Sequence, residues 1–302
     1  MPSTPTPGAA PAPDGTSTPG AAPWTPGTPP VASFVTTDGA RIAYTDSGPV
    51  PAPGRTVVLV AGYAMPATAW ALQSDALLAD GHRVVAVDRR STGESDDVAW
   101  GQRVSRHGAD LHELLELLDL RDVVVVGQSM GASSVWALVD AFGTDRLAGV
   151  VTIDQTPKMV NADGWDHGFY GMTADDSGSF FEDGIPDTGR GARVDEARPG
   201  VARLVERIGG MPAVRQANAP ETRRLLRDHG LQDWRDVVAR LDVPFVMVAG
   251  RDSQLWPCTH AEAAVGSNAH GTAVVIEQAG HATNLDRPDE FDAVLREFLA
   301  RL

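Results

Sequence analysis

Apolar and polar positions follow no regular order at the start of the chain and first organise near residue 32. Residues 33–36 and 41–44 read as short strands, and the Asp38-Gly39 step between them suits a tight reversal, so an opening β-hairpin is predicted. Continuous Val/Ile/Leu-rich runs follow at 57–61, 83–87, 123–126, 149–153, 245–249 and 274–277. Helical stretches separate them. Leu111, Leu114, Leu115, Leu117 and Leu118 give a helix around 112–120 one apolar side; residues 132–142 read as another helix and 288–302 as the last. Unalternating apolar runs interleaved with helices predict an α/β fold, a mostly parallel twisted sheet with helices on both faces.

The alternation of strand and helix fails between 155 and 241. That stretch is too long for a loop and holds helical pieces around 202–208 and 222–228, so it reads as an inserted helical cap. The expected organisation is a core of 32–154 and 242–302, a cap of 155–241, and a tail of 1–31. The tail is built from Pro, Thr, Ala, Gly and Ser, which bury too little apolar surface to offset their ordering entropy, and is expected to be disordered. No internal repeat is present.

At 302 residues, with 42 % hydrophobic and 22 % charged positions, the chain has the balance of a globular protein with a large core. A formal net charge of −15 repels polyanions at long range, which argues against a nucleic acid partner and against an anionic membrane surface. Lys158 is the only lysine, a bias that base composition explains more simply than selection for arginine contacts. The single cysteine, Cys258, excludes an intramolecular disulfide and a cysteine-rich zinc site. No apolar run approaches the ~20 residues needed to cross a bilayer, and the N-terminus lacks the basic start and apolar stretch of a secretory signal. The expectation is a soluble, cytoplasmic protein.

Candidate chemistry begins where the run 123–126 enters Gly127-Gln128-Ser129-Met130-Gly131 and then the helix at 132–142. G-x-S-x-G between a strand and a helix is a nucleophile elbow: the serine occupies a sharp, strained turn, and the glycines remove side chains that would strike neighbouring backbone. Ser129 is the candidate nucleophile. A tight turn whose serine merely caps the helix is the plainer alternative, and it leaves the next features unexplained.

One of these is His281, in Gln278-Ala279-Gly280-His281-Ala282-Thr283-Asn284-Leu285-Asp286-Arg287-Pro288, between the last predicted strand and the final helix. A loop there can carry a neutral imidazole above the elbow, where it takes the serine proton and returns it to a leaving group. Another is the strand-end loop Ala61-Gly62-Tyr63-Ala64-Met65-Pro66. A tetrahedral intermediate needs two backbone N–H donors, and these are expected from Met130, after the nucleophile, and from Tyr63, beside a glycine that permits close approach. A plain glycine turn at the strand end is the alternative.

The segment from about residue 33 to 302 resembles the α/β-hydrolase superfamily. The resemblance rests on GQSMG, AGYAMP, the stretch Asp88-Arg89-Arg90-Ser91-Thr92-Gly93-Glu94-Ser95 and AGHATNLDRP, all in family order. Ala61 stands where the family often has His before the oxyanion glycine, and Thr92 where D-x-R-G-x-G-x-S often has His. The resemblance implies a third triad member, commonly an acid in a G-x-x-D pattern after the strand at 245–249. Here that text is Gly250-Arg251-Asp252-Ser253, with Ser253 at the aligned position and Asp252 one residue early. A minority of the superfamily places the acid at the end of the strand after the elbow helix, where this chain has Asp154. Asp154 is preferred and Asp252 is the alternative; a strand-end Asp that caps a turn is the plain reading of either.

In the insertion, Trp165, Phe169, Tyr170, Met172, Phe180, Phe181 and Met211 either cover a small hydrophobic substrate or form the cap's own core, and Met65, Leu255 and Trp256 are further wall candidates. No metal cluster, Walker loop or G-x-G-x-x-G motif occurs, so no cofactor and no metal are expected. The implied reaction is acyl transfer to water from a small hydrophobic ester or lactone. The resemblance leaves open perhydrolase or C–C bond hydrolase chemistry, and a receptor-like protein that binds ligand with little turnover. Serine at the elbow argues against the dehalogenases and epoxide hydrolases of this fold, which use Asp there.

Overall fold

The structure is a computed structural model and describes residues 31–191, 198–212 and 220–302. The expectation of a disordered tail over 1–31 falls, but for Val31, outside the described residues, as do 192–197 and 213–219 of the expected cap. An eight-stranded sheet forms the centre, in the order β1-β2-β4-β3-β5-β6-β7-β8. Its strands are β1 (Val31–Val35), β2 (Arg41–Asp46), β3 (Thr56–Val60), β4 (Arg83–Val87), β5 (Val123–Gln128), β6 (Leu147–Ile153), β7 (Phe245–Gly250) and β8 (Gly271–Ile276). The opening hairpin is antiparallel, β2 joins β4 antiparallel, and every pairing from β4 to β8 is parallel. This is the α/β-hydrolase fold that the motifs implied.

The valine runs are unbroken because alternate residues go to opposite faces and both faces are covered. Val123 and Val125 of β5 pack with Leu111, Leu114, Val135 and Trp136 of α2 (Val104–Leu117) and α3 (Met130–Phe142). Val124 and Val126 pack instead with Leu77 of α1 (Ala71–Ala79) and with Phe291, Leu295 and Phe298 of the last helix, Pro288–Arg301. At about 1.5–3 kcal/mol for each fully buried Val, Leu or Phe, this double coverage outweighs individual propensity defects.

Most boundaries shift by one to three residues, and the two that shift furthest or along the sheet edge do so for local reasons. The helix expected around 112–120 begins at Val104 and ends at Leu117. Gly108, a residue that breaks the helical pattern at a cost of about 1 kcal/mol, sits where α2 crosses α3, and a Cβ there would lie 2.7 Å from the Leu138 backbone nitrogen. The strand expected at 274–277 spans Gly271–Ile276. It is the edge of the sheet and half-buried, so its first residues are not apolar.

Between β6 and β7 the chain leaves the sheet. It contributes α4 (Pro199–Ile208), α5 (Pro220–Gly230) and α6 (Arg235–Ala239) before returning; α7 (His260–Val265), α8 (Thr283–Asp286) and α9 (Pro288–Arg301) follow β7.

Candidate active site

The turn between β5 and α3 holds Ser129 at φ +51 and ψ −129, a conformation that an L-residue adopts only under constraint. The constraint is visible on both sides. Ser129 N donates to Ile153 O of β6 at 2.9 Å, and Ala132 N donates to Ser129 O at 2.8 Å. A Cβ on Gly127 would sit 2.6 Å from Ala132 N, and one on Gly131 would collide with the carbonyl oxygen of Val60 on β3. The two glycines are therefore dictated by closeness of backbone, and they lift the Ser129 hydroxyl off the end of the sheet.

His281 arrives from the loop between β8 and α8, and its Nε2 lies 2.9 Å from Ser129 Oγ. Its other ring nitrogen, Nδ1, lies 2.7 Å from Asp154 Oδ2. The loop is held from several sides: His281 N donates to Gln254 Oε1, Gln128 Nε2 donates to His281 O, and Gly280 N donates to Asp286 Oδ2 at 2.6 Å. The Trp256 ring stands edge-on to the imidazole, 5.3 Å between centroids.

Of the two carboxylates considered, Asp154 is the one beside His281. It follows the last residue of β6, is fully buried, and also receives Gly250 N on Oδ1 at 3.0 Å and Ser253 Oγ on Oδ2 at 2.6 Å. The carboxylate of Asp252 is exposed, and its backbone nitrogen is occupied with Ala279 O. Ser253, at the position where the family commonly has its acid, donates to Asp154 instead. Burial alone would raise the Asp154 carboxyl; the rings of His260, whose Nε2 is 3.7 Å from Oδ1, and of His281 outweigh it and hold the group at about 2. Its stabilising contribution is thus complete above the ordinary carboxylate value and is lost only as the pH falls toward 2.

Ser129 opens on two chambers. The larger, about 300 Å³, is lined by Tyr63, Met65, Trp70, Val201, Leu204 and Met211, with His281 and Ala282 on one side. The smaller, about 20 Å³, has room for little more than a water molecule and is walled by Met130, Phe169, Phe181, Leu226, Leu255 and Trp256. Tyr63 borders both chambers. Of the apolar set in the insertion, Phe169, Phe181 and Met211 face these chambers. Trp165 lies under the Arg235 guanidinium, Tyr170 under Arg190, Met172 is buried, and Phe180 packs edge-on against Phe169 and Phe181. Among the described residues no three His, Cys, Asp or Glu side chains converge to hold a metal ion, and no helix is long and apolar enough to cross a membrane.

His229, near the end of α5, is a polar wall of the small chamber that the sequence reading did not single out. Burial first, then the charge of Arg89 and the proximity of His281, lower it to about 3. The unfolded chain takes up this proton near pH 6.5 and the folded chain does not until about pH 3, so His229 erodes stability progressively as the pH falls below 6.5. Asp292, raised to about 6 by burial, acts in the opposite sense between pH 6 and 4. The difference between wild type and His229→Phe isolates the histidine. Between pH 7.5 and 5, urea unfolding is expected to show wild type losing about 2 kcal/mol more than the variant. Parallel profiles would rule this account out.

The family model for the alpha/beta hydrolase family matches residues 57–294. The non-heme chloroperoxidase of Streptomyces lividans is 29 % identical over 288 residues, covering 89 % of this chain and 99 % of that protein. The bifunctional esterase/perhydrolase DCH of Acinetobacter calcoaceticus is 34 % identical over 128 residues, 42 % of this chain and 46 % of that one. The crystal structure of a bromoperoxidase from Bacillus anthracis superposes with a TM-score of 0.73 at 24 % identity, covering 90 % of this chain and all of that one. The chain therefore belongs to the alpha/beta hydrolase family and is an enzyme of the hydrolase class.

Proposed function

We propose that this hydrolase cleaves an ester or lactone of a small hydrophobic molecule through an acyl-enzyme formed on Ser129. The observation that carries the reading is the unbroken relay from Asp154 Oδ2 to His281 Nδ1 at 2.7 Å and from His281 Nε2 to Ser129 Oγ at 2.9 Å. His281 accepts the hydroxyl proton as Oγ attacks the carbonyl carbon, then returns it to the leaving oxygen; the second half repeats these steps with water as nucleophile. Asp154 fixes the imidazole with its proton on Nδ1. The backbone N–H groups of Tyr63 and Met130 receive the oxyanion, and the segment between β6 and β7 serves as a cap that excludes water from both chambers.

The two chambers suggest how the substrate sits. The leaving oxygen must face His281 Nε2, and His281 borders the larger chamber, which takes the alcohol portion; the acyl portion is left with the smaller one. The preferred substrate is then a short-acyl ester of a larger apolar alcohol. The names of the relatives favour a second reading of the same site, in which hydrogen peroxide replaces water at the acyl-enzyme: its oxygen attacks, its proton passes to His281, and a peracid leaves with regeneration of Ser129.

Hydrolysis of p-nitrophenyl esters from acetate to octanoate tests both readings. Turnover is expected to be fastest with acetate and to fall about 10-fold or more by hexanoate, because each methylene that does not fit forfeits its burial. Adding peroxide to an acetate ester should yield peracetic acid if the second reading holds. A stoichiometric burst without turnover on every ester would instead indicate a binding protein.

A further inference from the structure

The loop that carries Tyr63 is held from behind by Arg89, 3 % exposed. Arg89 Nε donates to Ala61 O at 2.9 Å, Nη2 donates to Gly62 O at 2.6 Å, and Nη1 meets His107 Nδ1 at 2.9 Å. A guanidinium has only donors, so His107 Nδ1 accepts and that ring carries its proton on Nε2. Burial, and then the charges of Arg89, Arg90 and Arg106, keep His107 neutral. Burial also lowers Arg89, to about 10, which leaves it a cation at neutral pH.

The adjacent Arg90 is bridged to Asp38 and Asp110. For Arg89, by contrast, no ion pair to a carboxylate is formed among the described residues, and every hydrogen bond above goes to a backbone carbonyl or a neutral ring. A buried guanidinium so arranged is costly to the fold. What it secures is the orientation of one peptide. In a trans peptide the C=O and N–H point in opposite directions. With the Gly62 carbonyl drawn onto Arg89, the N–H of Tyr63 turns the other way, toward the cleft where Gly62 approaches Ser129 so closely that a Cβ on it would lie 3.1 Å from Ser129 Cβ.

We propose that Arg89 is a positioning residue for oxyanion stabilisation: it fixes the Gly62–Tyr63 peptide with its N–H toward Ser129 and sets a permanent positive charge behind that donor. The inference rests on the acyl-transfer reading above.

The test compares the full chain with its Arg89→Met and Arg89→Lys variants, using p-nitrophenyl acetate as substrate and methylboronic acid, whose methyl group matches the acetyl group, as inhibitor. The boronic acid accepts Ser129 Oγ at boron, the hydroxyl proton passes to His281, and the tetrahedral boronate places an oxygen where the oxyanion forms. Arg89→Met is expected to lower kcat about 100-fold with KM within about 2-fold, and to weaken boronate inhibition by the same factor; Arg89→Lys recovers about 10-fold of that loss. A rise in KM with kcat and boronate affinity unchanged overturns the proposal. So does a loss of activity that tracks only a falling Tm while the folded fraction binds boronate as wild type does.

The boronate adduct of wild type needs no variant to fold. Its crystal structure is expected to show the adduct oxygen within about 3.1 Å of Tyr63 N while Arg89 remains on Gly62 O; an adduct oxygen bonded elsewhere overturns the proposal. Ester turnover that survives Ser129→Ala overturns the acyl-transfer reading and this inference together, whereas the preceding outcomes overturn the inference alone.

Discussion

Ser129→Ala is expected to lower kcat by about 10⁶-fold while leaving the fold intact, because the variant keeps the oxyanion donors and chambers but has no atom to form the acyl bond. The alanine meets the same backbone conformation, φ +51, that serine already tolerates. It removes a hydroxyl whose hydrogen bond is to His281, so Tm should move by no more than a few degrees. Pre-steady-state assays with p-nitrophenyl acetate in excess give the measurement, since acylation of wild type releases a burst of p-nitrophenol that vanishes in the variant. Persistence of the burst would mean that another residue is acylated.

Asp154→Asn is expected to lower kcat by about 10⁴-fold, by analogy with serine proteases, and the contacts around the carboxylate explain why the amide cannot compensate. Its Oδ1 faces the fixed N–H of Gly250, which requires an acceptor. The amide NH₂ is therefore driven to the Oδ2 side, where Ser253 can rotate its hydroxyl to accept. There it faces His281 Nδ1 and selects the tautomer with the proton on Nε2, which cannot take a proton from Ser129. Asp252→Asn, on an exposed carboxylate, should leave kcat within about 2-fold of wild type. Equal losses in the two variants would remove Asp154 from the mechanism.

What was readable in advance divides along physical lines. The strands were legible because a sheet covered on both faces demands unbroken apolar runs, and the elbow because two close backbone approaches demand glycine at fixed spacing. Helix α1 was not, since its inward positions include Gln73 and Ser74, whose burial leaves no apolar stripe. The carboxylate partner of His281 was readable only as a pair of choices. Both Asp154 and Asp252 lie just past the end of a strand, and which of them reaches His281 depends on how β6 and β7 lie side by side, a relation between residues nearly a hundred positions apart. His229 and His260 gave no signal, and Arg89 stood in a motif stretch that assigned it no role: nothing in a single arginine or histidine announces that it will be buried against a loop, a chamber or a carboxylate.

The pairing of β6 with β7 also governs when activity can arise during folding. Ile153 and Val248 are neighbours in the sheet, yet the chain between them must travel out and return before they meet. Asp154 N is tied to Val248 O and its carboxylate to Gly250 and Ser253, so the acid has no fixed place until that long excursion closes. Contacts of such sequence separation carry a large loop-closure entropy and form slowly. The proposed hydrolytic centre is thus assembled by the most distant parallel pairing in the sheet, and recovery of catalysis on refolding is expected to mark the completion of the native topology rather than the collapse that precedes it.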